Sequence, residues 1–429
     1  MTSRDTIMAL SSGAPPSGVA VIRLSGPQAR EALSFMAGEV PPPRTLALRS
    51  IGAGTRLDQG LVAFFPRPAS FTGEDCVELH VHGSPAGVKA ILRQLSEFGL
   101  RLAQPGEFTR RAFENGKLDL VSVEGLGDLL SAETESQRQQ ALARYDGRFT
   151  AMIDNWRDEL LDLRAELEAR LDFSDEGDVE ESLPGAFQDQ LAGLVNSLTT
   201  ALLSLSSGRI VREGIRVAIA GAPNAGKSSL INALSQSDVA IVSPEAGTTR
   251  DVREVPLDIA GQLYLLLDLA GLRDADSLAE AEGVRRARRA IADADIVLWL
   301  VAPDVESTEP EPFASNVIVV HTKSDLAHPV GATSVSSVTG EGIGELIALL
   351  QQRGSTLTGA EPSVISHERD RQALTEALDA VVSAGKRIEQ WELAAEDLRL
   401  ASASLERLIG RLDPERVLDR LFSSFCIGK

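Results

Sequence analysis

A three-part chain, with an α/β domain inserted into a run of helices that follows an α+β N-terminal domain, is the fold class this sequence predicts. Its 429 residues make about three domains at roughly 150 residues each. Texture changes along the chain supply the boundaries, and helical patterning on both sides of alternating strands supplies the insertion. The predicted boundaries are 1–119 for the α+β domain, 120–209 and 357–429 for the two parts of an all-α domain, and 210–356 for the α/β domain.

Up to Asp119 the chain is rich in glycine and proline, with short apolar stretches at Val19 to Leu24, Leu61 to Phe65 and Val77 to Val81. Such stretches between turn residues read as strands. From Leu120 to Gly208 prolines nearly vanish and leucines take helical spacing, as at Leu160, Leu163, Leu167 and Leu171. Buried-strand runs then appear at Val217 to Ala220, Leu263 to Leu267, Ile296 to Val301 and Val317 to Val320, separated by helical segments, which predicts a parallel sheet. Beyond Ser366 the pattern is helical again, with Leu398, Ala401, Leu405, Leu408 and Leu412 on one stripe. Asp413-Pro414-Glu415 reads as the start of a last helix. One helical domain interrupted by an insertion is the simplest reading; two separate small bundles remain the alternative. The acidic stretch Asp172 to Glu181 reads as a solvated loop or cap, because no histidine or patterned spacing accompanies it.

Charge limits the function classes. Lysine plus arginine number 42 against 62 aspartate plus glutamate, a net charge of -20, which disfavours a protein that coats nucleic acid with cations. Two distant cysteines, Cys76 and Cys426, exclude a disulfide framework and a cysteine-built zinc site, and fit a reducing compartment. Residues Met1 to Leu10 lack the apolar core of a signal peptide, and no run of about 18 apolar residues occurs, so a cytoplasmic chain without a membrane anchor is expected.

Gly221-Ala222-Pro223-Asn224-Ala225-Gly226-Lys227-Ser228 completes the pattern G-x-x-x-x-G-K-S between an expected strand and an expected helix. Its backbone N–H groups and the helix start, through Ser229, would face phosphate oxygens; Lys227 would neutralise the β/γ charge and Ser228 would ligate Mg2+. Three further motifs follow in the order a GTPase requires. Gly247-Thr248-Thr249-Arg250-Asp251 offers Thr249 to the magnesium from a mobile switch. Asp268-Leu269-Ala270-Gly271 ends a strand with an acid near the metal and a glycine N–H for the γ-phosphate. Thr322-Lys323-Ser324-Asp325 places Asp325 to accept two hydrogen bonds from guanine, which adenine cannot give, so GTP is the expected nucleotide. Ser336-Ser337-Val338 is expected to contact the guanine oxygen through its backbone.

Two positions depart from the usual GTPase pattern. Thr322 stands where asparagine is usual, which puts the second base contact and the brace to the phosphate loop in question. Leu272 follows the second switch motif and cannot orient water, leaving Glu280 and Glu282 as nearby acids; both also read as the solvated face of a helix. Arg250, Arg273 and Arg285 are formal candidates for charge-stabilising fingers, although surface pairing is the commoner role of such arginines.

Asn224 in the phosphate loop, the Gly247-to-Asp251 switch and the terminal Phe425-Cys426-Ile427-Gly428-Lys429 together resemble the MnmE (TrmE) family of tRNA-modification GTPases. The resemblance spans the chain, through Val21 to Gly26, Ser70 to Asp75, Pro105 to Thr109 and Lys117 to Leu120. It implies a folate-binding and dimer-forming N-terminal domain, a discontinuous helical domain and a Ras-like G domain. With an FAD-dependent partner, MnmG (GidA), in a hetero-oligomer, the family puts an aminomethyl-type or carboxymethylaminomethyl group on C5 of the wobble uridine of certain tRNAs. The one-carbon unit comes from a tetrahydrofolate, in the 5-formyl or 5,10-methylene form.

For this chain the resemblance implies K+ held by Asn224, Ser243, Glu245 and Thr248, acting when two G domains of a homodimer meet, and Glu280 as the water-orienting acid in preference to Glu282. The folate positions are Arg23, Glu78, Lys117 and Lys429; a carboxylate such as Glu78 suits the pterin's paired N–H groups, and cations suit the glutamate tail. Along Cys76 to His82 one face carries Cys76, Glu78, His80 and His82, with solvent exposure the ordinary reading and a metal site from Glu78, His80 and His82 the minor one. Gly83-Ser84 departs from the family's Gly-Gly. Cys426 resembles a prenylation position only superficially, because the chain ends Gly428-Lys429; placed by the resemblance at the folate centre, it is a candidate chemical participant whose role as nucleophile, redox group or spectator is open.

The competing class is a GTP-gated ribosome-assembly or RNA-binding adaptor of the Era or Der kind. Such factors carry basic RNA-binding domains, and this chain shows neither a basic appendage nor an aromatic-rich RNA sheet. Residues 1–120 hold 13 basic and 11 acidic residues, so the remaining chain carries a balance of -22 and direct tRNA contacts are expected to be few and local.

Overall fold

A computed structural model of the chain describes residues 5–172, 183–237, 240–241, 253–269, 278–306, 316–327, 332–359, 363–411 and 428. It forms two compact units, Met1–Gly127 with Leu405–Lys429, and Asp128–Ser404.

The first unit is built on six strands, β1 (Ile7–Leu10), β2 (Ser17–Ser25), β3 (Ala47–Ile51), β4 (Asp58–Phe65), β5 (Cys76–Gly83) and β6 (Arg101–Leu102). Their order is β3-β4-β5-β2-β1-β6, antiparallel except for the β1–β6 pair. The alternation read from the sequence places Ala20, Ile22 and Leu24 of β2 and Val77, Leu79 and Val81 of β5 on one buried face. Helices α1 (Ala29–Ala37) and α2 (Pro85–Phe98) cover it with Leu33, Met36, Val88, Ile91 and Leu95. Helix α2 is delimited by its sequence: the Ser84 side chain accepts the Gly87 N–H, Pro85 occupies the first turn and Gly99 closes the end at φ 113°. On the other face Ile7 and Ala9 meet Phe108 of α3 (Glu107–Glu114), with Phe71 packed alongside. Leu408 and Ile409 are buried, and the Leu120 N–H that opens α4 (Leu120–Ser131) points to the Ile409 carbonyl. Division of the units thus falls at Gly127, within α4, while the proline-poor texture begins at Leu120.

The second unit joins helices to a seven-stranded sheet. Helices α5 (Glu135–Tyr145), α6 (Arg148–Asp172) and α7 (Gly185–Glu213) precede the sheet. Strands β7 (Ile215–Gly221), β8 (Ala240–Ile241), β9 (Arg253–Ile259), β10 (Gln262–Asp268), β11 (Ile296–Val301), β12 (Val317–Thr322) and β13 (Ser334–Val335) follow. Their order is β13-β12-β11-β7-β10-β9-β8, with β9 antiparallel to both its neighbours and the rest parallel. All four apolar runs predicted as strands lie in β7, β10, β11 and β12. Helices α8 (Lys227–Gln236) and α10 (Ile343–Thr358) pack on one face through Leu230, Leu234, Leu346 and Leu350. On the other face Ile291 of α9 (Leu278–Ala292) meets Val297 and Trp299. Helices α11 (Glu368–Lys386) and α12 (Trp391–Leu408) then return to the helical layer.

Sequence-distant halves of that layer are tied together. Arg144 of α5 and Asp370 of α11 form a fully buried ion pair, with N···O distances of 2.8 and 2.9 Å, and Arg144 also donates to the Val364 carbonyl at 2.7 Å. Gln140 donates to the carbonyls of Gly208 and Ser363, and a Cβ at Gly208 would lie 2.1 Å from the Ile365 carbonyl oxygen. Residues on either side of the α/β insertion therefore make one helical body, as the discontinuous reading requires. Among the described residues α7 is the helix long and apolar enough to cross a membrane; Phe187, Leu191, Leu194, Leu198 and Ala201 are buried at helical spacing and form its one covered face. The expected helix at Asp413-Pro414-Glu415 and the acidic stretch beyond Asp172, 173–181, lie outside the described residues.

Candidate functional site

Parallel α/β sheets bind ligands at the carboxyl ends of their strands, and the predicted nucleotide motifs converge there. Central strand β7 ends at Gly221 with φ 136°, where a Cβ would sit 2.5 Å from the Leu300 carbonyl oxygen of β11, so the loop can leave the sheet only through glycine. Asn224 at φ 65° and Gly226 at φ 93° continue the curl into the first turn of α8, which holds Lys227, Ser228 and Ser229. Lys227 Nζ donates to the carbonyls of Gly221 and Ala222 at 2.9 and 2.8 Å, lying back over its own loop. Asp268, the last residue of β10, stands in register with Ile219 of β7, beside that loop.

At the base end, Thr322 Oγ1 is buried and donates to the Ala225 carbonyl at 2.6 Å. The brace to the phosphate loop that the sequence put in question is therefore made by threonine. Asp325 accepts a 2.6 Å hydrogen bond from Ser336 Oγ, while that same oxygen accepts the N–H groups of Val338 and Thr339. Two incoming donors direct the hydroxyl proton at Asp325 and fix its carboxylate. Ser337 and the exposed Val338 form the turn beyond. Lys323 sits at φ 56° and pairs through Nζ with both oxygens of Asp304 at 2.6 and 2.8 Å. That hydrogen bond holds the Asp304 carboxyl below its usual range. Sequence reasoning missed Asp304; the available signal was an acid just past the end of the Ile296 to Val301 strand.

Ser243, Glu245, Gly247, Thr248, Thr249, Gly271, Cys426 and Lys429 lie outside the described residues, as do Arg250 and Arg273. Glu280 and Glu282 fall on α9 with their side chains outside the described part. Arg285 is exposed on the same helix.

In the first unit the predicted Arg23 and Glu78 meet across β2 and β5 at 2.9 Å, and His80 Nε2 lies 3.1 Å from the other Glu78 oxygen. Arg23 stacks over the rings of Phe71 and Phe108, 5.7 and 5.9 Å to the centroids. The polar face is accordingly graded from the buried Cys76, bonded to Thr72 at 3.1 Å, to the exposed His82. His82 turns away to Asp58 at 2.8 Å, so Glu78, His80 and His82 do not gather as metal ligands. Exposed Lys117 lies against Gly73, two residues from Phe71. Gly428, between the undescribed Cys426 and Lys429, accepts a 2.8 Å hydrogen bond from Ser11, and a Cβ there would meet the Leu10 carbonyl oxygen at 2.1 Å. Gly428 thus lies against the end of β1, which pairs Ala9 with Arg23. A network that the sequence did not reveal supports this region: buried Arg111 binds Glu74 at 3.0 Å, Glu107 at 3.0 Å and Asp5 at 3.2 Å. Burial raises the Glu107 carboxyl, but Arg101 and Arg111 outweigh it and hold the group below its usual range.

Residues 6–117 match the family described as GTP-binding protein TrmE N-terminus, and residues 120–426 match the MnmE helical domain. A tRNA modification GTPase MnmE of Azorhizobium caulinodans is 50% identical, over 100% of this chain and 99% of its own length. Its namesake in Rhizobium etli is 48% identical over 99% of each chain. Among solved structures, the G domain of the T. maritima FeoB iron transporter overlaps 34% of this chain and 99% of its own, at 26% identity and a TM-score of 0.24.

Proposed function

The chain belongs to the MnmE family of tRNA-modification GTPases, a GTP hydrolase acting in tRNA modification, and from that premise we propose how its own residues do the work. The observation that carries the reading is the phosphate loop at the end of β7, braced by Thr322 to the end of β12, just before the turn that bears Lys323 and Asp325. Lys227 leaves the Gly221 and Ala222 carbonyls when phosphate oxygens arrive, exchanging two neutral acceptors for anionic ones. Asp325, its carboxylate fixed by Ser336, accepts the two guanine N–H donors, and adenine would leave that acid without them. Ser228 and Thr249 would hold Mg2+, which offsets charge on the β- and γ-oxygens. Asn224, Ser243, Glu245 and Thr248 would hold K+, which supplies positive charge in place of an arginine finger. Glu280 on α9 orients the attacking water in place of Leu272.

In the first unit Arg23, Glu78 and Lys117, with Lys429, the neighbour of Gly428 in the sequence, bind a tetrahydrofolate in the 5-formyl or 5,10-methylene form. Paired donors of the pterin suit a carboxylate already oriented by Arg23, and the Phe71 and Phe108 rings give that site an apolar flank. The one-carbon unit then goes, with an FAD-dependent partner, to C5 of a tRNA wobble uridine. Exposed Val19, Leu46, Leu48 and Leu61, of which Leu48 and Leu61 are cross-strand partners, support a homodimer through this sheet. We place the activity in the cytoplasm.

GTP turnover by the purified chain is expected to run much faster in potassium than in sodium, and calorimetry is expected to show 5-formyltetrahydrofolate binding. Equal rates in the two salts would remove the potassium assignment, and absent folate binding would remove the one-carbon chemistry. Glu280→Ala is expected to slow hydrolysis at least tenfold with GTP affinity kept; parental turnover would place the water elsewhere.

A further inference from the structure

We infer that Asp304 is a positioning residue of the guanine site, acting through Lys323. The inference rests on the GTP reading above and adds a residue that the nucleotide motifs do not contain. Strands β7, β11 and β12 lie side by side, with Gly221 opposite Leu300 and Leu300 opposite Val320. The end of β11 therefore lies between the ends of β7 and β12, and Asp304 stands just past it. Lys323 leaves β12 in the left-handed backbone region, a conformation rare for residues other than glycine. Its carbonyl accepts the N–H groups of Leu326 and Ala327, which ties that kink to the turn bearing Asp325.

From this kink the four-carbon stem crosses the end of β11 to Asp304, which grips the ammonium with both carboxylate oxygens. A lysine stem held at both ends is a fixed apolar ledge beside Asp325, and a flat purine ring whose edge is bound by that acid needs such a ledge for its face. Without Asp304 the stem regains its rotamers, and nucleotide binding must order them again. Chemical steps at the γ-phosphate do not involve this end of the ligand, so the effect belongs to affinity and not to turnover. Reading of the exocyclic amine stays with Asp325 and Ser336.

The test is a double-mutant cycle on the full chain, read by equilibrium binding of GDP and GTP and by steady-state hydrolysis. Asp304→Ala is expected to weaken both nucleotides about two- to fivefold, the range for an exposed ion pair, with kcat kept and KM raised. Asp304→Asn, which keeps an oxygen acceptor, should recover part of the loss. Lys323→Ala should weaken binding at least as much, and Asp304→Ala should add nothing in that background. Preference for GTP over ITP, which lacks the exocyclic amine, should be the same in parent and Asp304→Ala. Parental affinity in Asp304→Ala, additive losses in the double variant, or a fall in kcat would each overturn the role. A parent chain that binds no guanine nucleotide would instead overturn the GTPase reading itself.

Discussion

At the scale of single residues, two side chains decide more than their positions in the sequence announce. Asp370 is wholly buried, and burial alone would raise its carboxyl; the charge and hydrogen bonds of Arg144, with His367, override that and bring it down to about 2. A depressed carboxyl stabilises the fold fully above its unfolded value near 4, and that contribution is lost as pH falls through the folded value. Arg144→Met leaves a buried carboxylate without its cation and should cost about 3–5 kcal/mol in urea titrations at pH 7. Arg144→Met with Asp370→Asn should restore much of the loss and flatten the acid limb below pH 4, because the neutral amide keeps a cap for the Ser366 and His367 N–H groups. A double variant as weak as the single one would mean that packing, and not charge, holds the helices together. Thr322 is the second case. Its hydroxyl braces Ala225 but the side chain is one atom short of asparagine's reach toward a purine edge. Thr322→Asn should therefore tighten GTP binding about three- to tenfold, the worth of one added hydrogen bond, in a nucleotide titration. Unchanged or weaker affinity would show that the base lies beyond that position.

At the scale of elements, period and punctuation made most of the fold readable. Val217 to Ala220 and Ile296 to Val301 are short, β-branched and bounded by turn residues, and they became the paired central strands β7 and β11. Ser84-Pro85 and Gly99 bracket α2 as capping chemistry requires. What stayed hidden was contact between elements far apart in the chain, since periodicity reports which face is buried but not what covers it. In the sequence Asp304 and Gly354 belong to no motif, and Phe71 and Phe108 stand only inside the segments Ser70 to Asp75 and Pro105 to Thr109. In the structure Gly354 of α10 is the floor beneath Tyr264, whose hydroxyl donates to the Leu350 carbonyl at 3.0 Å and whose burial pushes it up to about 12. A Cβ at Gly354 would stand 1.9 Å from that hydroxyl. Gly354→Ala should cost about 1–3 kcal/mol in thermal denaturation, and adding Tyr264→Phe, which removes the colliding oxygen, should recover part of it. No recovery would locate the strain in the helix backbone instead.

At the scale of the whole molecule, the function proposed above puts two chemistries on two compact units, and the acidity is unevenly shared along the chain. Residues 1–120 are nearly balanced while the remainder carries the net negative charge, so the unit with Arg23 and Lys117 is the better surface for the anionic folate proposed above. If the two sites are separate in construction, a lesion in one should spare the basal reaction of the other. Gly428 offers such a lesion far from the phosphate loop in sequence and in a different unit. Its φ of 104° and the Leu10 carbonyl oxygen, 2.1 Å from where a Cβ would lie, leave no room for a side chain. Gly428→Ala must displace Gly428 from β1, one residue before Lys429 and two after Cys426 in the sequence, while Lys227, Thr322 and Asp325 keep their partners. The expected outcome is loss of 5-formyltetrahydrofolate binding by at least tenfold in calorimetry, with basal GTP hydrolysis within twofold of the parent. Retained folate affinity would mean that the tail only caps the sheet. A parallel loss of basal hydrolysis would mean that the nucleotide site depends on the tail, and that the two chemistries are one machine even at rest.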